Sequence, residues 1–515
     1  MNLTTDCWIP VVWSDGRADK VSLLDAFQRG HEIRDLSVRP HERIALMRLL
    51  ICIAQVALDG PQDRTDWLTC RDRLPQAAAD YLAQWKHAFE LFGDGQRFLQ
   101  ATNVQPAKDT KEGDEEMNSP SKLDLTLATG NNTTLFDNAG GADRIFFPDQ
   151  LALMLLTFQN YSPGGRIGDV KWNGVSMGAN SNHAPCAVKA MLHTYLHQSC
   201  LDRTLHANLL TREQITMLGC PWGKPIWEEM PSSPKAAAAI ANATFSYMGR
   251  LVPMSRLIRL DPDGRNLVMG TAMPYPPDWR EVAATIVARD RNGKHERGFL
   301  NASLSKSVWR EAHSIAVLAT TANQTLGGPL ALASLSGNEG ADVWCGALVT
   351  DKAKLLDAVE SVLNIPAAMF AEAGQHRYQQ GVKQAEQWGR KINKAVATYR
   401  RELHDEIDKA EFRKRGNTVK AKAATHYWTA VEQQVPALLS VIENPEALYA
   451  EGTTKEDWGR TAWGKALTRT ARSVYELACP HETPRQLKAY SLGLNALFKP
   501  VETEVEDSST EEAET

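Results

Sequence analysis

The spacing of apolar residues changes near position 350, and this change constrains the fold more than any other feature. Over residues 351–499, apolar side chains recur every three or four positions, which is the period of amphipathic helices. One helix is predicted over 382–410 and another directly after Asp351. We therefore expect a C-terminal four-helix bundle over residues 351–500. Two capping boxes predict further helix starts, at Thr453-x-x-Glu456 and Thr483-x-x-Gln486.

Residues 1–350 show a mixed pattern. Apolar residues at helical spacing predict buried helices over 40–58 and 149–159. Short alternating runs bounded by turn residues predict strands over 8–13, 257–260 and 283–287, and a strand-like approach to a small-residue loop over 332–342. The fold class is therefore α+β. We expect a large mixed N-terminal α/β domain (1–350), the four-helix bundle (351–500) and a disordered tail (501–515) that carries seven acids and no base.

Composition and motifs argue against several classes of protein. The eight cysteines form no C-x-x-C pair, which argues against a disulfide framework. The N-terminus does not resemble a secretory signal, and the apolar run 151–158 is too short to cross a bilayer, so we expect a cytoplasmic protein without a membrane partner. The G-x-x-x-x-G-K-[ST], H-E-x-x-H and G-x-S-x-G motifs are absent. No catalytic residue or cofactor is predicted, but an unrecognised nuclease or hydrolase remains an alternative.

One group of residues has a spacing that could suit a metal. Cys186, His193, His197 and Cys200 would share one face of a helix. At a rise of about 1.5 Å per residue, the two cysteines would then lie ~21 Å apart. Zinc ligands bind at only about 2.0–2.3 Å from the ion, so one helix cannot offer all four residues to one metal. We therefore predict half-buried histidines and no metal site.

The clearest charge pattern lies in the helical region. Residues 377–422 contain 13 Lys and Arg against 6 Asp and Glu, although the whole chain has a net charge of −5. Such a surface can neutralise phosphates and release counterions. The alternative is a solvated helix face with local ion pairs, so that the bundle would bind only proteins. The candidate phosphate-binding residues are Lys391, Lys394, Arg413, Lys414 and Arg415.

Two loops rich in glycine and asparagine, 129–141 and 336–342, are further candidates for nucleic-acid contact. Small residues let the backbone approach a groove closely, and asparagine can recognise base edges. The alternative is that both are plain connecting loops. The candidate residues are Asn131, Asn132, Phe136 and Asn138 in the first loop, and Gly337, Asn338, Glu339, Gly340 and Ala341 in the second.

Several segments, in this order, are similar to those of a known family. The N-terminus Met1-Asn2-Leu3-Thr4-Thr5-Asp6-Cys7-Trp8-Ile9-Pro10-Val11 is similar to that family's signature. Further similar segments are Leu49 to Gln55, Arg97-Phe98-Leu99-Gln100, Asn131 to Asn138 followed by a short apolar helix and Gly164-Gly165, and His426-Tyr427-Trp428 with Glu432. From residue 1 to about residue 500, the chain therefore resembles the CasA family, the large subunits of the type I-E CRISPR surveillance complex Cascade.

This resemblance implies a large N-terminal domain, a C-terminal four-helix bundle and no catalysis. It implies a protein that checks the short motif beside the target, the PAM, in double-stranded DNA and helps to open the duplex, while base pairing with the guide RNA reads the longer sequence. The implied partners are the backbone, guide-5′-end and small subunits of Cascade, the CRISPR guide RNA, the target duplex and the helicase-nuclease that destroys it.

The resemblance also suggests roles for individual residues. Phe136 and Asn138 match the loop that contacts guide and PAM, and residues 337–341 match a glycine loop and wedge that enter the minor groove. A well-studied member carries a glutamine where this chain has Gly340, so Asn338 or Glu339 is the expected wedge, unless the correspondence is shifted by a few residues. Arg265 is the nearest match to the family's lysine finger. The zinc-binding cysteine cluster of some members is absent from this sequence.

Overall fold

The computed structural model describes residues 1–107, 117–127, 144–164, 167, 169–178, 182–277, 279–291, 294–318, 326–335, 339–351, 354–403 and 409–499. The chain divides into two compact units, Met1–Phe370 and Ala371–Thr515. The first unit contains helices and strands, and the second contains helices among its described residues. This mixed content confirms the α+β class.

The first unit joins short helices with antiparallel strands. Its α-helices are α1 Leu23–Gln28, α2 Pro40–Ala57, α3 Arg64–Thr69, α4 Leu74–Gln84, α5 Pro148–Tyr161, α6 Leu201–Ala207, α7 Arg212–Met217, α8 Ala237–Phe245, α9 Tyr247–Leu251 and α10 Ala312–Ile315. Its strands are β1 Ile9–Trp13, β2 Ala18–Val21, β3 Ile33–Leu36, β4 Val104–Pro106, β5 Val170–Trp172, β6 Val175–Met177, β7 His193–Leu196, β8 Arg256–Leu260, β9 Leu267–Thr271, β10 Ile286–Arg291, β11 Lys294–Phe299, β12 Ala341–Asp351 and β13 Lys354–Ile365.

Helix α2 forms the centre of the first unit. Every residue of α2 from His41 to Gln55 is buried, so this helix contacts protein on all sides. It begins with Pro40 at its first turn, where a missing backbone N–H costs no hydrogen bond. It packs against α5, α9 and strand β12. The predicted helices 40–58 and 149–159 are therefore confirmed as α2 and α5.

The strands form small antiparallel sheets with the orders β2-β1-β3, β4-β5-β6, β13-β12-β7, β8-β9 and β10-β11. The longest strands, β12 and β13, pair from Ala341 opposite Ile365 to Asp351 opposite Lys354. Strand β7 pairs with the other edge of β12, with Leu196 opposite Val343. Strand β12 is therefore held on both edges, and its first residue is fixed by pairing.

The second unit is built around a long helix. Its helices are α11 Glu372–Leu403, α12 Lys409–Glu432, α13 Val435–Glu443, α14 Ala462–Ala478 and α15 Pro484–Phe498. Helix α11 packs against the other four. The Trp463 indole on α14 donates a hydrogen bond to the Gly381 carbonyl of α11 at 3.0 Å. The described residues of the second unit thus contain four helices of 15 or more residues and the nine-residue α13, one helix more than predicted.

Four local predictions were wrong. Residues 354–365 form β13 and not a helix, because their backbone pairs with β12. The approach to the small-residue loop is a 3-10 helix, Leu330–Ser334, and not a strand. No helix begins at Thr453, whose amide closes a turn onto Ala450. His193 lies in β7 and not on a helix, because this segment pairs with β12. The capping box at Thr483 is confirmed at the start of α15.

Candidate nucleic-acid interface

The first candidate loop lies outside the described residues, and so do Asn131, Asn132, Phe136 and Asn138. The structure does describe the residues that follow it. Ile145 is 77% exposed and Phe147 is 69% exposed, which is unusual for large apolar side chains. Phe147 occupies the N-cap of α5, and its backbone N–H donates to Gln150 at 2.9 Å. The segment next to the candidate RNA-contacting loop therefore presents two apolar side chains to solvent.

The second candidate loop is described from Glu339 onwards, and Gly337 and Asn338 lie outside the described residues. Glu339 and Gly340 are exposed, whereas Ala341 is buried as the first residue of β12. The exposed carboxylate of Glu339 therefore stands two residues before a strand that is paired on both edges.

A close approach of two chain segments explains the glycine at position 340. A Cβ atom on Gly340 would lie 2.9 Å from the carbonyl oxygen of Ile365 and 3.3 Å from the Cα atom of Pro366. Both contacts are with backbone, which cannot move aside as a flexible side chain can. Gly340 is thus required by the packing of the loop against the end of β13. A glutamine wedge at this position would not fit the backbone as it stands.

Two adjoining clefts lie beside this loop. The first, of about 520 Å³, is lined by Arg34, Asp35, the turn after β7 and the start of β12. The second, of about 780 Å³, shares Arg34 and Asp35 and extends along the segment between β3 and α2. The first cleft is polar, with the backbone of Gly340 at its edge. The side chains that line it are those of Arg34, Asp35, His197, Gln198, Ser199, Ala341, Asp342 and Asn364.

The cations of these clefts differ in whether they have partners. Arg43 forms ion pairs with Asp35 at 2.5 Å and with Glu360 at 3.6 Å. Arg39 pairs with Glu42 at 2.6 Å. Arg34 is exposed and makes no ion pair with any carboxylate that the structure describes. Asp35 and Asp342 line the same cleft, but no described carboxylate lies within 4.0 Å of Arg34, so its guanidinium is the cleft cation most available to an anion.

The structure does not place Arg265 in either cleft. It lies in the turn between β8 and β9, 69% exposed, with its Nε 3.9 Å from the carboxylate of Asp263. The preceding Gly264 has φ +68°, and a Cβ there would lie 2.9 Å from the Leu151 side chain on α5. The turn thus packs on α5, and Arg265 projects from it as a loosely paired surface cation.

The predicted basic residues of the second unit lie on α11 and α12. Lys394 is exposed, and the Lys391 ammonium lies 4.9 Å from the centre of the Trp388 ring, a cation–π arrangement. Arg413, Lys414 and Arg415 fall within α12, but their side chains lie outside the described residues.

A family model for the CRISPR-associated protein Cse1 matches residues 2–474, most of the chain. The chain belongs to the Cse1 family. The match extends through the first unit and into α14 of the second. It confirms the resemblance to CasA, since CasA and Cse1 name the same relative: the CasA/Cse1 protein of Thermus thermophilus is 28% identical over 516 residues, covering 93% of this chain and 95% of its own.

Solved Cse1 structures share the fold over nearly the whole length. The crystal structure of Thermus thermophilus CasA superposes with a TM-score of 0.70 at 22% identity, covering 96% of this chain and 98% of its own. Cse1 from Acidimicrobium ferrooxidans gives 0.73 at 17% identity, covering 96% of both chains. A chain of a CRISPR RNA-guided surveillance complex gives 0.68 at 18% identity, covering 97% of this chain and 99% of its own.

The histidines and cysteines considered as metal ligands are placed by the fold of this Cse1-family chain. His193 is fully buried; burial lowers its pKa to about 4, and its Nδ1 lies 3.2 Å from the Met191 carbonyl. His197 lines the first cleft instead. In the part of the chain that the structure describes, no three His, Cys, Asp or Glu residues are grouped to hold a metal ion. None of the described helices combines the length and apolarity needed to cross a bilayer.

Sequence reasoning missed Arg34 and His197 as residues of the cleft beside the second candidate loop. Both lie far from Gly340 along the chain, and neither stands in a glycine-rich or basic segment. The pairing of β7 with β12 brings His197 beside the loop, since the His197 N–H donates to the Asp342 carbonyl at 2.8 Å. No local sequence signal could have revealed this proximity.

Proposed function

We propose that this chain is the non-catalytic large subunit of a type I-E Cascade complex. In this role it recognises the PAM in double-stranded DNA, helps to open the duplex for guide pairing and recruits the helicase-nuclease. The match of the Cse1 family model over residues 2–474 is the observation that carries this proposal. The similarity in fold to a chain of a CRISPR RNA-guided surveillance complex supports it. The expected partners are the other Cascade subunits, the guide RNA and the target duplex, in the cytoplasm.

The loop and its clefts suggest how the duplex would be held. Gly340 is exposed directly before the paired strand β12, so its backbone can approach a minor groove without a side chain in between. Arg34 in the adjoining cleft would contact a phosphate and so position the duplex without reading its sequence. Glu339 and the preceding Asn338 are the candidates for the wedge, because Gly340 has no side chain to insert.

Three other surfaces complete the proposal. The loop that contains Phe136 would contact the guide RNA, next to the exposed Phe147. Arg265 would approach the duplex as the counterpart of the lysine finger. The four long helices of the second unit would act as a four-helix bundle whose cations, Lys391 and Lys394 on α11 together with those on α12, contact the nucleic-acid backbone.

The decisive experiment measures binding of duplex targets with varied flanking trinucleotides to the guide-loaded complex, with and without this chain. We expect affinity to depend on the flank only when the chain is present. Equal affinities with and without it would refute the interrogating role and favour a scaffold, whereas metal-dependent cleavage by the purified chain would favour a nuclease.

Variants separate the roles within this assay. Arg34→Gln should weaken binding of all flanks alike and reduce the salt dependence by about one phosphate contact. Lys224→Gln is the control, because it removes an exposed cation that lines neither cleft. It should leave the affinity and its salt dependence unchanged. Glu339→Gln should change the ranking of flanks, and Phe136→Ala should weaken target binding without unfolding the chain. An Arg34→Gln variant that alters only the ranking of flanks would contradict its phosphate role.

A further inference from the structure

Helix α11 carries four cations in one row, which we call the basic stripe: Lys383, Arg390, Lys394 and Arg401. All four side chains are exposed. At about 100° per residue, their positions fall within roughly 40° of one another around the helix, and they extend over ~27 Å of its length. The stripe is therefore a continuous positive edge along the longest helix of the second unit.

The basic stripe is not neutralised by the residues around it that the structure describes. None of its four cations lies within 4.0 Å of a described carboxylate, in contrast to Arg472 on α14, which pairs with Glu476 at 3.0 Å. Glu386, three residues after Lys383 and four before Arg390, is the acid on α11 closest to the stripe within its length, so the local balance is four cations against one carboxylate. Like charges in a row repel each other, so the stripe favours a polyanion as its partner.

The chain itself supplies a polyanion, which begins after α15 on a side of α11 about 120–140° around the helix from the stripe. Helix α15 runs antiparallel to α11, because Gly493 packs against Ala395 while the Phe498 ring packs against Trp388 at 5.9 Å. Lys391 covers the same Trp388 ring from the side of the stripe. The chain thus leaves α15 beside the middle of α11 and continues into residues 501–515, which carry seven carboxylates and no cation.

The length of this terminal segment is sufficient to cover the stripe. Fifteen residues can span up to ~50 Å when extended, against the ~27 Å of the stripe. The segment carries seven carboxylates, and the stripe with the neighbouring Lys391 carries five cations. Because the segment is tethered next to its binding surface, its effective concentration is on the order of millimolar, so even weak affinity gives substantial occupancy.

We propose that the acidic C-terminal segment Val501–Thr515 docks on the basic stripe of α11 and competes there with the phosphate backbone of nucleic acids. The segment acts as an intramolecular substitute for phosphate. It screens the stripe from non-specific DNA. It is displaced when a correctly positioned polyanion makes additional contacts with the protein. Docking of the segment itself does not depend on the nucleic-acid role proposed above, because it requires only the charges of this chain.

Contact without nucleic acid can be tested by zero-length carbodiimide crosslinking of the full-length chain, with the linked peptides identified by mass spectrometry. We expect links from the acids of 501–515 to Lys383, Lys391 and Lys394, lost at high salt as screening shortens to about 3 Å at 1 M. Lys465 and Lys488, exposed on α14 and α15, are internal controls. A mixture of isotope-labelled and unlabelled chains distinguishes links within one molecule from links between two molecules. Docking would be refuted if both sets of lysines were linked equally, or if all links joined different molecules.

Competition can be tested with a full-length variant in which the seven acids become Gln or Asn. We expect this variant to bind a non-specific duplex about 3- to 10-fold more tightly than wild type at low salt, with the difference vanishing at high salt. The same neutralisation should have no effect when Lys383, Arg390, Lys394 and Arg401 are glutamines. The control replaces four exposed cations outside the stripe: Arg460, Lys465, Arg469 and Lys488.

These outcomes distinguish the two proposals. An equal gain in affinity with the stripe intact and with the stripe replaced would show that the tail acts only through net charge, which refutes its docking on the stripe. If the crosslinks form as expected but the chain confers no flank dependence on the complex, docking stands and the PAM-recognition role fails.

Discussion

Replacing Glu281 by glutamine should destabilise the first unit by about 3–5 kcal/mol, because the Arg48 guanidinium would then be buried without a counter-ion. The two side chains are 2% and 5% exposed, and Arg48 Nη1 lies 2.9 Å from the Glu281 carboxylate. The Arg48 Nε donates to the Leu251 carbonyl at 3.0 Å. Carbonyl groups satisfy hydrogen bonds but carry no full charge, so they cannot replace the carboxylate.

The charge state of Glu281 follows from opposing effects. Burial alone would raise its pKa, but Arg48, His193 and Arg250 together hold the pKa of this carboxyl below its ordinary value. Glu281 is therefore ionised at neutral pH and pairs with a guanidinium on α2. Its neighbour Ala283 accepts a hydrogen bond from the Thr194 amide of β7, so the ion pair anchors the segment before β10 to the core.

The assay is urea unfolding of Glu281→Gln, Arg48→Met and the double variant. The change in stability is calculated from the shift of the unfolding midpoint, provided that the m-value is unchanged. Because each single variant leaves one charge uncompensated, we expect the double variant to be less destabilised than the sum of the singles by at least about 2 kcal/mol. Glu476→Gln is the control, since its exposed pair with Arg472 should contribute under about 0.5 kcal/mol. This reasoning would be refuted if Glu281→Gln lowered the free energy of unfolding by less than ~1 kcal/mol, or if the effects of the two single variants simply added in the double variant.

Three further predictions concern the loop, the pH dependence and the tail. Gly340→Ala should lower stability by about 1–2 kcal/mol in thermal unfolding. Gly95→Ala is the control, since no atom lies within 4 Å of the added Cβ, and it should change stability by under ~0.5 kcal/mol. Equal effects of the two substitutions would exclude the Ile365 contact as the cause. Burial lowers the pKa of His41 and His193 to about 4, so below pH 6.5 the unfolded chain binds more protons than the folded one. The free energy of unfolding should therefore fall as the pH drops from 6.5 towards 4. If the His41→Gln/His193→Gln variant showed the same dependence of stability on pH as wild type, this reasoning would be contradicted. Deleting residues 501–515 should leave the melting temperature within about 1 °C, and a large drop would show that the segment buries apolar area.

Features that depend on residues close together in the chain were predicted well. The period of apolar residues correctly predicted α2, α5 and α11, and the capping box at Thr483 marked the start of α15. The same motif at Thr453 failed, because the side chain that caps α14 is that of Thr461. A cap needs a helix that packs against a neighbour, and the motif alone does not show whether such a neighbour exists.

The strand β13 shows why the remaining fold could not be predicted. Residues 354–365 have apolar positions compatible with a helix, but partners from β12 fix them as a strand. Strand propensity is largely a matter of cross-strand packing, so a segment of ambiguous pattern adopts the structure that its neighbours impose. For the same reason His193 lies in β7 and not on the helix that its spacing suggested.

By itself, the sequence determined the family, the α+β class, the long helices and the charge asymmetry between α11 and the terminal acids, because each of these is carried by residues adjacent in the chain or by their order. Only the tertiary structure decided that Arg34, His197 and Gly340 border one cleft. They belong to three distant segments. The antiparallel pairing of β7, β12 and β13 and the backbone approach at Ile365 join His197 to Gly340, whereas Arg34 comes from β3 in a separate sheet. Such proximity arises from packing between elements, and no local pattern of residues encodes it.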